Sequence, residues 1–589
     1  MDAPTALSLA HRRLRVLFLV TAHNSLSQRV KIALEEQGHE VDVAVVASPA
    51  SMEAAVDRHR PELIVCPMLK SIIPESIFAA HRCLIVHPGP VGDRGPSSLD
   101  WAIELGAAEW GVTVLEATAT VDGGDVWATR TFAMREAGKS SLYRHEVRRA
   151  AVEAVVQAVT RIAAGSTTPE PLDRAGTRVT GRPRPLLTQA ERAIDWTSAP
   201  TDTVVRRINA AEGHPGVLDT IRGARFHLFG AHPERRLRGT PGELVAQRDG
   251  AVCRATADGA VWITHLKAPG EYKLPAARAL AVAGVELDLP DVPAPVHASL
   301  PGGDTFREIA YEERDGVGYL SFDFYNGAMS TDQCRRLLDA YRYAAARRET
   351  RVIVLTGGRD FFSNGIHLGV IEAAGDPAGE SWLNLQAIDD VVRAIVETTT
   401  HVTVAALAGD AAAGGVPLAL AADHVLARED VVLNPYYRHM GGLYGSEYWT
   451  YLLPRRLGAA MTAELTSPPF EAVGTRRAVE IGLIDDAFGA TVDAFRSGVR
   501  GFAERLAASP GVSGLLGAKR AARRYDERTK PLSGYRTEEL VRSYDCFFGA
   551  DRSYHEARHR FVHKLGAPCA VVPLPVRAPR ELSRRAPTR

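Results

Sequence analysis

The sequence predicts an α/β protein of three tandem units: a doubly wound parallel sheet, a small β-barrel, and a second α/β domain that ends in a helical region. Three observations predict it. Apolar runs alternate with helix-length stretches over the first 190 residues. From about Arg192 the texture changes to short strands between glycine turns. A fresh strand–helix alternation starts at Ile309, behind a segment carrying Pro290, Pro293, Pro295 and Pro301. A chain of 589 residues is also too long for one core. The boundaries follow as 12–190, 191–286, a linker over 287–305, 306–510, a helical region over 511–567 and a disordered Pro/Arg-rich tail over 568–589.

Arg15–Val20 is a continuous apolar strand of the kind buried on both faces. A helix over Gln28–Gln37 closes on Gly38, and further strands fall at Val41–Val46, Leu63–Cys66 and Leu84–His87. In the second unit a short helical stretch opens at Ile194–Trp196, followed by strands at Arg225–Phe229, Gly242–Gln247, Ala251–Ala255 and Val261–Leu266. The third unit has strands at Val317–Phe322 and Arg351–Thr356 around an amphipathic helix, Thr331–Arg347. The 70 basic and 70 acidic residues cancel, so no general field draws nucleic acid or a membrane surface. Six scattered cysteines without a C-x-x-C pair give no disulfide framework and no readable metal site; Cys66 and Cys83 read as buried thiols. Leu14–Val20 is far too short to span a bilayer, and the chain is expected in the cytoplasm.

The chemistry starts at Ile85–Val86–His87–Pro88–Gly89–Pro90, continuing through Gly92–Ser98. An apolar strand delivers one histidine to a rigid loop, where ligands of open parallel sheets bind. About thirty residues on, Val121–Asp125 is a turn with two carboxylates. A strand-end histidine and an aspartate on a glycine turn are the minimum for general acid/base work.

With the segment Leu63–Pro74, these motifs resemble the 10-formyltetrahydrofolate-dependent formyltransferases, and Ile194 to about Gly270 resembles the barrel of methionyl-tRNA formyltransferase, with Ala211–Gly216 as its turn. The resemblance implies that His87 and Asp122 are catalytic. It also implies that folate lies against Met68, Ile73, Pro74, Ile85, Gly123 and Asp125. One position departs: the family has Asn two residues before the histidine, where this chain has Ile85. Losing an oxyanion donor costs on the order of a hundredfold or more. A thiol acceptor, a few per cent ionised at neutral pH, needs less help than an ammonium.

Val352–Gly358 with Phe361–His367, then Val404–Gly409 with Ala413–Gly415, then Ala478–Ile484, resemble the crotonase (enoyl-CoA hydratase/isomerase) family. The resemblance implies an oxyanion hole from the backbone N–H groups of Ile366 and Gly414. It also implies coenzyme A against Ala328, Ser363, Asn364, Gly365 and Gly415. The positions of the two hydratase glutamates hold Pro417 and Tyr436, so hydration is not expected. The ionisable cluster lies just after Pro417: Tyr436, Tyr437, His439, Tyr444 and Glu447. Glu447 among aromatics is expected to be desolvated and suited to act as a base.

A formyltransferase half fused to a crotonase half, with Gly92–Trp101 and Asn434–Tyr451 spelled as they are, resembles the HypX/HoxX family of hydrogenase-maturation proteins. That resemblance implies carbon monoxide synthesis for a [NiFe]-hydrogenase centre: formyl transfer from 10-formyltetrahydrofolate to coenzyme A, then decarbonylation of formyl-CoA. The residues themselves then offer Glu447 as base and one of Tyr436, Tyr437 and Tyr444, with Tyr437 taken first, as proton donor, and hydrogenase-assembly proteins are the expected partners. Two other readings stand beside it: a formyltransferase acting on an amine, and a non-catalytic maturation scaffold.

Overall fold

The computed structural model describes residues 12–172, 179–297, 305–435, 437–467 and 472–565. The expected tail over 568–589, part of the expected linker, and Tyr436 lie outside the described residues.

The first sheet contains β1 (Arg15–Val20), β2 (Glu40–Val45), β3 (Leu63–Cys66), β4 (Cys83–His87), β5 (Glu109–Glu116) and β6 (Val126–Ala133), in the order β2-β1-β3-β4-β5-β6. The first four are parallel. Both faces are covered, as the unbroken apolar spelling of β1 requires. Phe18 and Val20 pack with Val30 and Leu34 of the helix Ser25–Glu36. Leu17 and Leu19 pack on the other side with Met52 and Val56 of the helix Pro49–His59. Cys66 and Cys83 are buried free thiols, and burial pushes Cys83 up to about 12.

An all-parallel sheet was the sequence expectation, but β5 and β6 are antiparallel. The Asp122 turn that looked only catalytic also reverses the chain between them. The strand order turns back beside β1, and His87 ends β4, on the carboxyl side where such sheets take ligands.

The second unit is antiparallel: β7 (Val217–Ile221), β8 (Ala224–Glu234), β9 (Leu244–Arg248), β10 (Ala251–Ala255), β11 (Ala260–Lys267) and β12 (Leu274–Pro275). Its order is β7-β8-β11-β10-β9, with β12 on β11. Gly242, expected as the first strand residue, is in the turn before β9 with φ +93°, a conformation side chains resist. The helix expected at Ile194–Trp196 forms later, over Thr201–Ala210, and buries Val204 and Ile208 on the sheet.

The third unit carries β13 (Ile309–Arg314), β14 (Val317–Phe322), β15 (Val352–Thr356), β16 (Phe361–Ser363), β17 (Val402–Leu407), β18 (Asp410–Ala412), β19 (His424–Ala427), β20 (Val432–Asn434), β21 (Val473–Gly474) and β22 (Asp486–Ala487). The large sheet runs β13-β14-β15-β17-β19-β22 and the small one β16-β18-β20-β21. Thus β15, β17 and β19 are each followed by a short strand of the second sheet. The turns leaving β16 and β18 are brought side by side, and Ile366 and Gly414 lie there. Behind them come the helices Val512–Thr529, Leu532–Phe548 and Ser553–Val562. Among the described residues, no helix is long and apolar enough to cross a membrane.

The halves dock through buried charge. Arg148 Nη1 donates to Asp410 Oδ2 at 2.8 Å. Asp360 accepts from Ser141 Oγ (2.7 Å) and Arg144 Nη1 (3.0 Å), with His145 Nε2 3.1 Å away. Burial alone would raise its carboxyl, but those bonds hold it well below the usual range. Arg144, His145 and Arg148 come from the π-helical turn Tyr143–Val147 and the helix that continues it.

Candidate active sites

β4 aims His87 into a closed, charged corner. The side chain is 95% buried, with Nε2 2.9 Å from Asp93 Oδ2 and Nδ1 3.4 Å from Asp122 Oδ2. Asp122 has φ +51°, and its Oδ2 also accepts from Gly95 N at 3.2 Å, so turn geometry and loop together orient the carboxylate. Asp93 is wholly buried, and its other oxygen accepts from Arg184 Nη1 at 3.1 Å. A Cβ at Gly89 would fall 2.5 Å from both Asp93 Oδ2 and His87 Nε2, so only glycine lets the loop close over the pair.

The sequence reading assigned Asp122 and missed Asp93. Asp93 stood in view in the run Gly92–Asp93–Arg94–Gly95, but nothing in linear spacing shows that the loop folds back on the strand end. Arg184, ninety-one residues further on, carried no signal at all. Replacing Asp93 by Asn keeps the shape and removes the charge on Nε2. If the formyl transfer that the resemblance implies runs at this corner, it is expected to drop about tenfold or more, while folate affinity holds. An unchanged rate would make Asp93 a packing residue.

Around this corner, Ile73 is buried and Pro74 opens the helix Glu75–Phe78. Ile85 shares the strand face of His87, half-buried, and packs beside the cluster of Leu17, Leu19 and Ile77. Met68 gives its carbonyl to Thr21 N, and Asp125 accepts from Leu172 N at 3.2 Å. Asp125 therefore pins its loop. Gly123 leaves no room for a Cβ beside Thr120.

In the third unit, Glu447 meets the pair of turns. A Cβ at Gly414 would fall 2.2 Å from Glu447 Oε1, and one at Gly365 would fall 3.1 Å from Gly414 N. Glu447 is 1% exposed. Its Oε2 accepts from the Tyr437 hydroxyl and from Ser446 N, both at 3.0 Å. Glu447 and Tyr448 both have left-handed backbones, φ +60° and +57°. Two such non-glycine residues in a row are strained and need external ties.

Two buried carboxylates provide those ties. Asp389 accepts from Glu447 N (2.7 Å) and Ser446 Oγ (2.8 Å). Glu539 accepts from Tyr448 N (2.9 Å), from Thr450 N (2.8 Å) and from the Thr450 hydroxyl. Neither was legible in the sequence. Each lies more than fifty residues from the loop it holds, in a helix where an acid reads as surface.

The remaining expected residues are dispersed. Tyr444 turns away, its hydroxyl accepting from Arg542 at 2.7 Å and its ring 5.2 Å from Trp449. His439 is exposed. Ser363 is wholly buried, with its Oγ accepting from Gly365 N, and Asn364 Nδ2 donates to Asn326 O at 2.8 Å. Both side chains brace the loop around Ala328. Ile366 pairs with Met329 across a β-bridge, and Gly415 opens the helix Gly415–Leu420.

Burial pushes Glu447 and Glu539 up to about 8 and Asp389 to about 7, with the charge of a neighbouring carboxylate adding to each. In the unfolded chain such groups titrate near 4. The native state therefore holds more protons between about pH 4 and 8, and its stability falls as pH rises through that window. Unfolding at pH 6 is expected to release up to about three protons from this set, as read by calorimetry in buffers of different ionisation enthalpy. No release would mean that the three are ionised in the folded protein.

Comparison with known proteins agrees with this arrangement. Family models match over three stretches: formyl transferase at 46–159, formyl transferase C-terminal domain at 186–283 and enoyl-CoA hydratase/isomerase at 312–567. Methionyl-tRNA formyltransferase of Variovorax paradoxus is 30% identical over 38% of this chain and 70% of its own. The crystal structure of HypX from Aquifex aeolicus in complex with tetrahydrofolic acid superposes with a TM-score of 0.90 at 43% identity, covering 94% of this chain and 97% of that one. The hydrogenase maturation factor HoxX of Bradyrhizobium diazoefficiens is 46% identical over 98% of this chain and 99% of its own. With both halves, their order and nearly every residue accounted for, the chain belongs to the HoxX/HypX family of hydrogenase maturation factors.

Proposed function

We propose that the chain makes carbon monoxide in two steps, one in each half. At His87 the thiolate of coenzyme A attacks the formyl carbon of 10-formyltetrahydrofolate. The C–N10 bond breaks, and N10 leaves with a proton handed over by His87, which Asp122 and Asp93 hold in place. The likeness to a HypX that binds tetrahydrofolic acid supports folate at this corner.

At the second site the backbone N–H groups of Ile366 and Gly414 hold the formyl-CoA oxygen. Glu447 takes the formyl proton, the C–S electrons leave with sulfur, and Tyr437 supplies the thiol proton. Carbon monoxide and free coenzyme A are the only products, so no water enters the balance. The observation that carries this reading is the placement of a buried carboxyl directly against Gly414, with a tyrosine hydroxyl on its other oxygen. A hydratase needs two acids around a water; among the described residues, the carboxyl against Gly414 is that of Glu447, and its other oxygen meets a tyrosine hydroxyl. At the seam of the halves, a cleft of about 150 Å³ that includes Arg29, Arg144 and Arg149 suits a phosphate-bearing ligand such as coenzyme A.

The test is headspace gas analysis of purified protein given 13C-formyl-labelled 10-formyltetrahydrofolate and coenzyme A. Labelled carbon monoxide that requires both substrates is expected. Formylation of coenzyme A without the gas would leave only a transferase. The partners of such a factor would be hydrogenase-assembly proteins receiving the gas.

Ile85 marks the choice of acceptor. Ile85→Asn returns a donor to the oxyanion position and is expected to raise formylation of amines relative to coenzyme A by about tenfold or more. Acceptor competition read by mass spectrometry checks this. An unaltered ratio would mean that Ile85 only packs.

A further inference from the structure

Outside the residues placed in either site, the helix Ser553–Val562 and the residue after it carry His559 and His563 one turn apart on one side. Glu372, the last residue of the helix Leu368–Glu372, faces them both. His559 Nδ1 lies 2.7 Å from Glu372 Oε1, and His563 Nε2 lies 3.5 Å from the same oxygen. One ligand-type atom from each residue falls within 4.8 Å of the others, and the two imidazole rings are 4.2 Å apart. The other carboxylate oxygen accepts from Arg558 Nε at 2.8 Å, which fixes the carboxylate plane. The ring of Tyr272, from the second unit, meets His563 edge-on at 4.8 Å.

We propose that Glu372, His559 and His563 form a divalent transition-metal site, with zinc the best chemical fit. Ligand atoms 2.0–2.1 Å from a tetrahedral zinc stand about 3.4 Å apart, so small side-chain shifts from the observed positions suffice. Two imidazole nitrogens and one carboxylate suit zinc with an open fourth position, and they do not suit calcium or magnesium, which favour all-oxygen sets. Arg558 plays the outer part, holding the carboxylate. Its charge weakens the site, so micromolar rather than nanomolar binding is expected. Glu372 stands 187 residues from His559, which is why no spacing motif announces the set.

A bound ion would clip the last described helix to the segment that follows Ile366. That same helix backs the Glu447 loop. A Cβ at Gly441 would fall 2.1 Å from Ser553 O, and the Tyr554 hydroxyl is 2.9 Å from Ser381 Oγ.

The test uses the full chain without a histidine tag, stripped with chelator, and cobalt(II) and zinc as probes. Expected are one zinc per chain by calorimetry and an intense visible cobalt spectrum that zinc bleaches. His559→Ala, His563→Ala and Glu372→Gln should each weaken zinc by about tenfold or more. Zinc should raise the melting temperature of the natural chain and not that of the His559→Ala/His563→Ala double variant. Zinc affinity unchanged in the histidine variants overturns the site, as does a weak octahedral cobalt spectrum. X-ray absorption of the zinc-loaded natural chain needs no variant. Two imidazoles on the ion support the site, and none refutes it.

Discussion

Glu447→Gln is expected to stop carbon monoxide release by on the order of a hundredfold or more while formyl transfer at His87 continues. Gln keeps the outline of Glu and still offers an oxygen, but it cannot take a proton near neutrality. The position argues for a large effect. The carboxyl is sealed from water, touches Gly414, and shares its second oxygen with the Tyr437 hydroxyl. Formyl-CoA should then accumulate, with formate from its slow hydrolysis. Mass spectrometry of coenzyme A species beside headspace analysis separates the two half-reactions. Carbon monoxide at the natural rate in this variant would remove Glu447 as the base.

The natural protein adds a pH signature to this test. Burial holds Glu447 up to about 8, so the share of ionised base grows as pH rises from 6 to 9. Decarbonylation of supplied formyl-CoA should rise through that range and level above it. The loop pays for its placement with two strained residues, which Asp389 and Glu539 hold by hydrogen bonds. Burial raises both acids, with the charge of Asp390 adding to Asp389 and the charge of Asp389 adding to Glu539, while the hydrogen bonds they accept from the loop act the other way.

What the sequence showed, and what it hid, divides along one physical line. Contiguous signals were readable: β1 and β3 as buried strands, His87 at a strand end, the paired turns at Ile366 and Gly414. Each rests on residues within about ten positions of one another, where periodicity and turn chemistry act. Asp389 and Glu539 on the Glu447 loop were not readable, because a carboxylate in a helix looks the same whether it meets water or a backbone N–H more than fifty residues away; Asp93, only six residues from His87, was hidden because spacing does not show that its loop folds back on the strand end. The antiparallel β5 and β6 were missed for a related reason. Strand direction is decided by how the connection folds, and the Asp122 turn was read for its carboxylates alone. Of the aromatic group, Tyr437 and Tyr444 have similar local spelling. Only Gly445, against which the Tyr437 ring packs, and Arg542, which takes the Tyr444 hydroxyl, tell them apart.

His87→Ala is expected to lower formyl transfer by on the order of a hundred- to ten-thousandfold, with no loss of activity on supplied formyl-CoA. The histidine is the one titratable group at the strand end with carboxylates on both ring nitrogens, Asp93 at 2.9 Å and Asp122 at 3.4 Å. Removing the ring leaves both carboxylates facing each other across a void in a buried corner. The leaving N10 then has no proton donor. Supplied formyl-CoA bypasses the corner, so carbon monoxide from it should match the natural chain. Consumption of 10-formyltetrahydrofolate by absorbance, with formyl-CoA added in a parallel reaction, reads both halves in one experiment. Unchanged consumption would take His87 out of the reaction. A parallel loss in both arms would mean that the substitution loosens the joined halves, which a melting curve would show as a lower midpoint. His87→Gln, which fills the void but cannot shuttle the proton, should keep the natural midpoint and still lose formyl transfer.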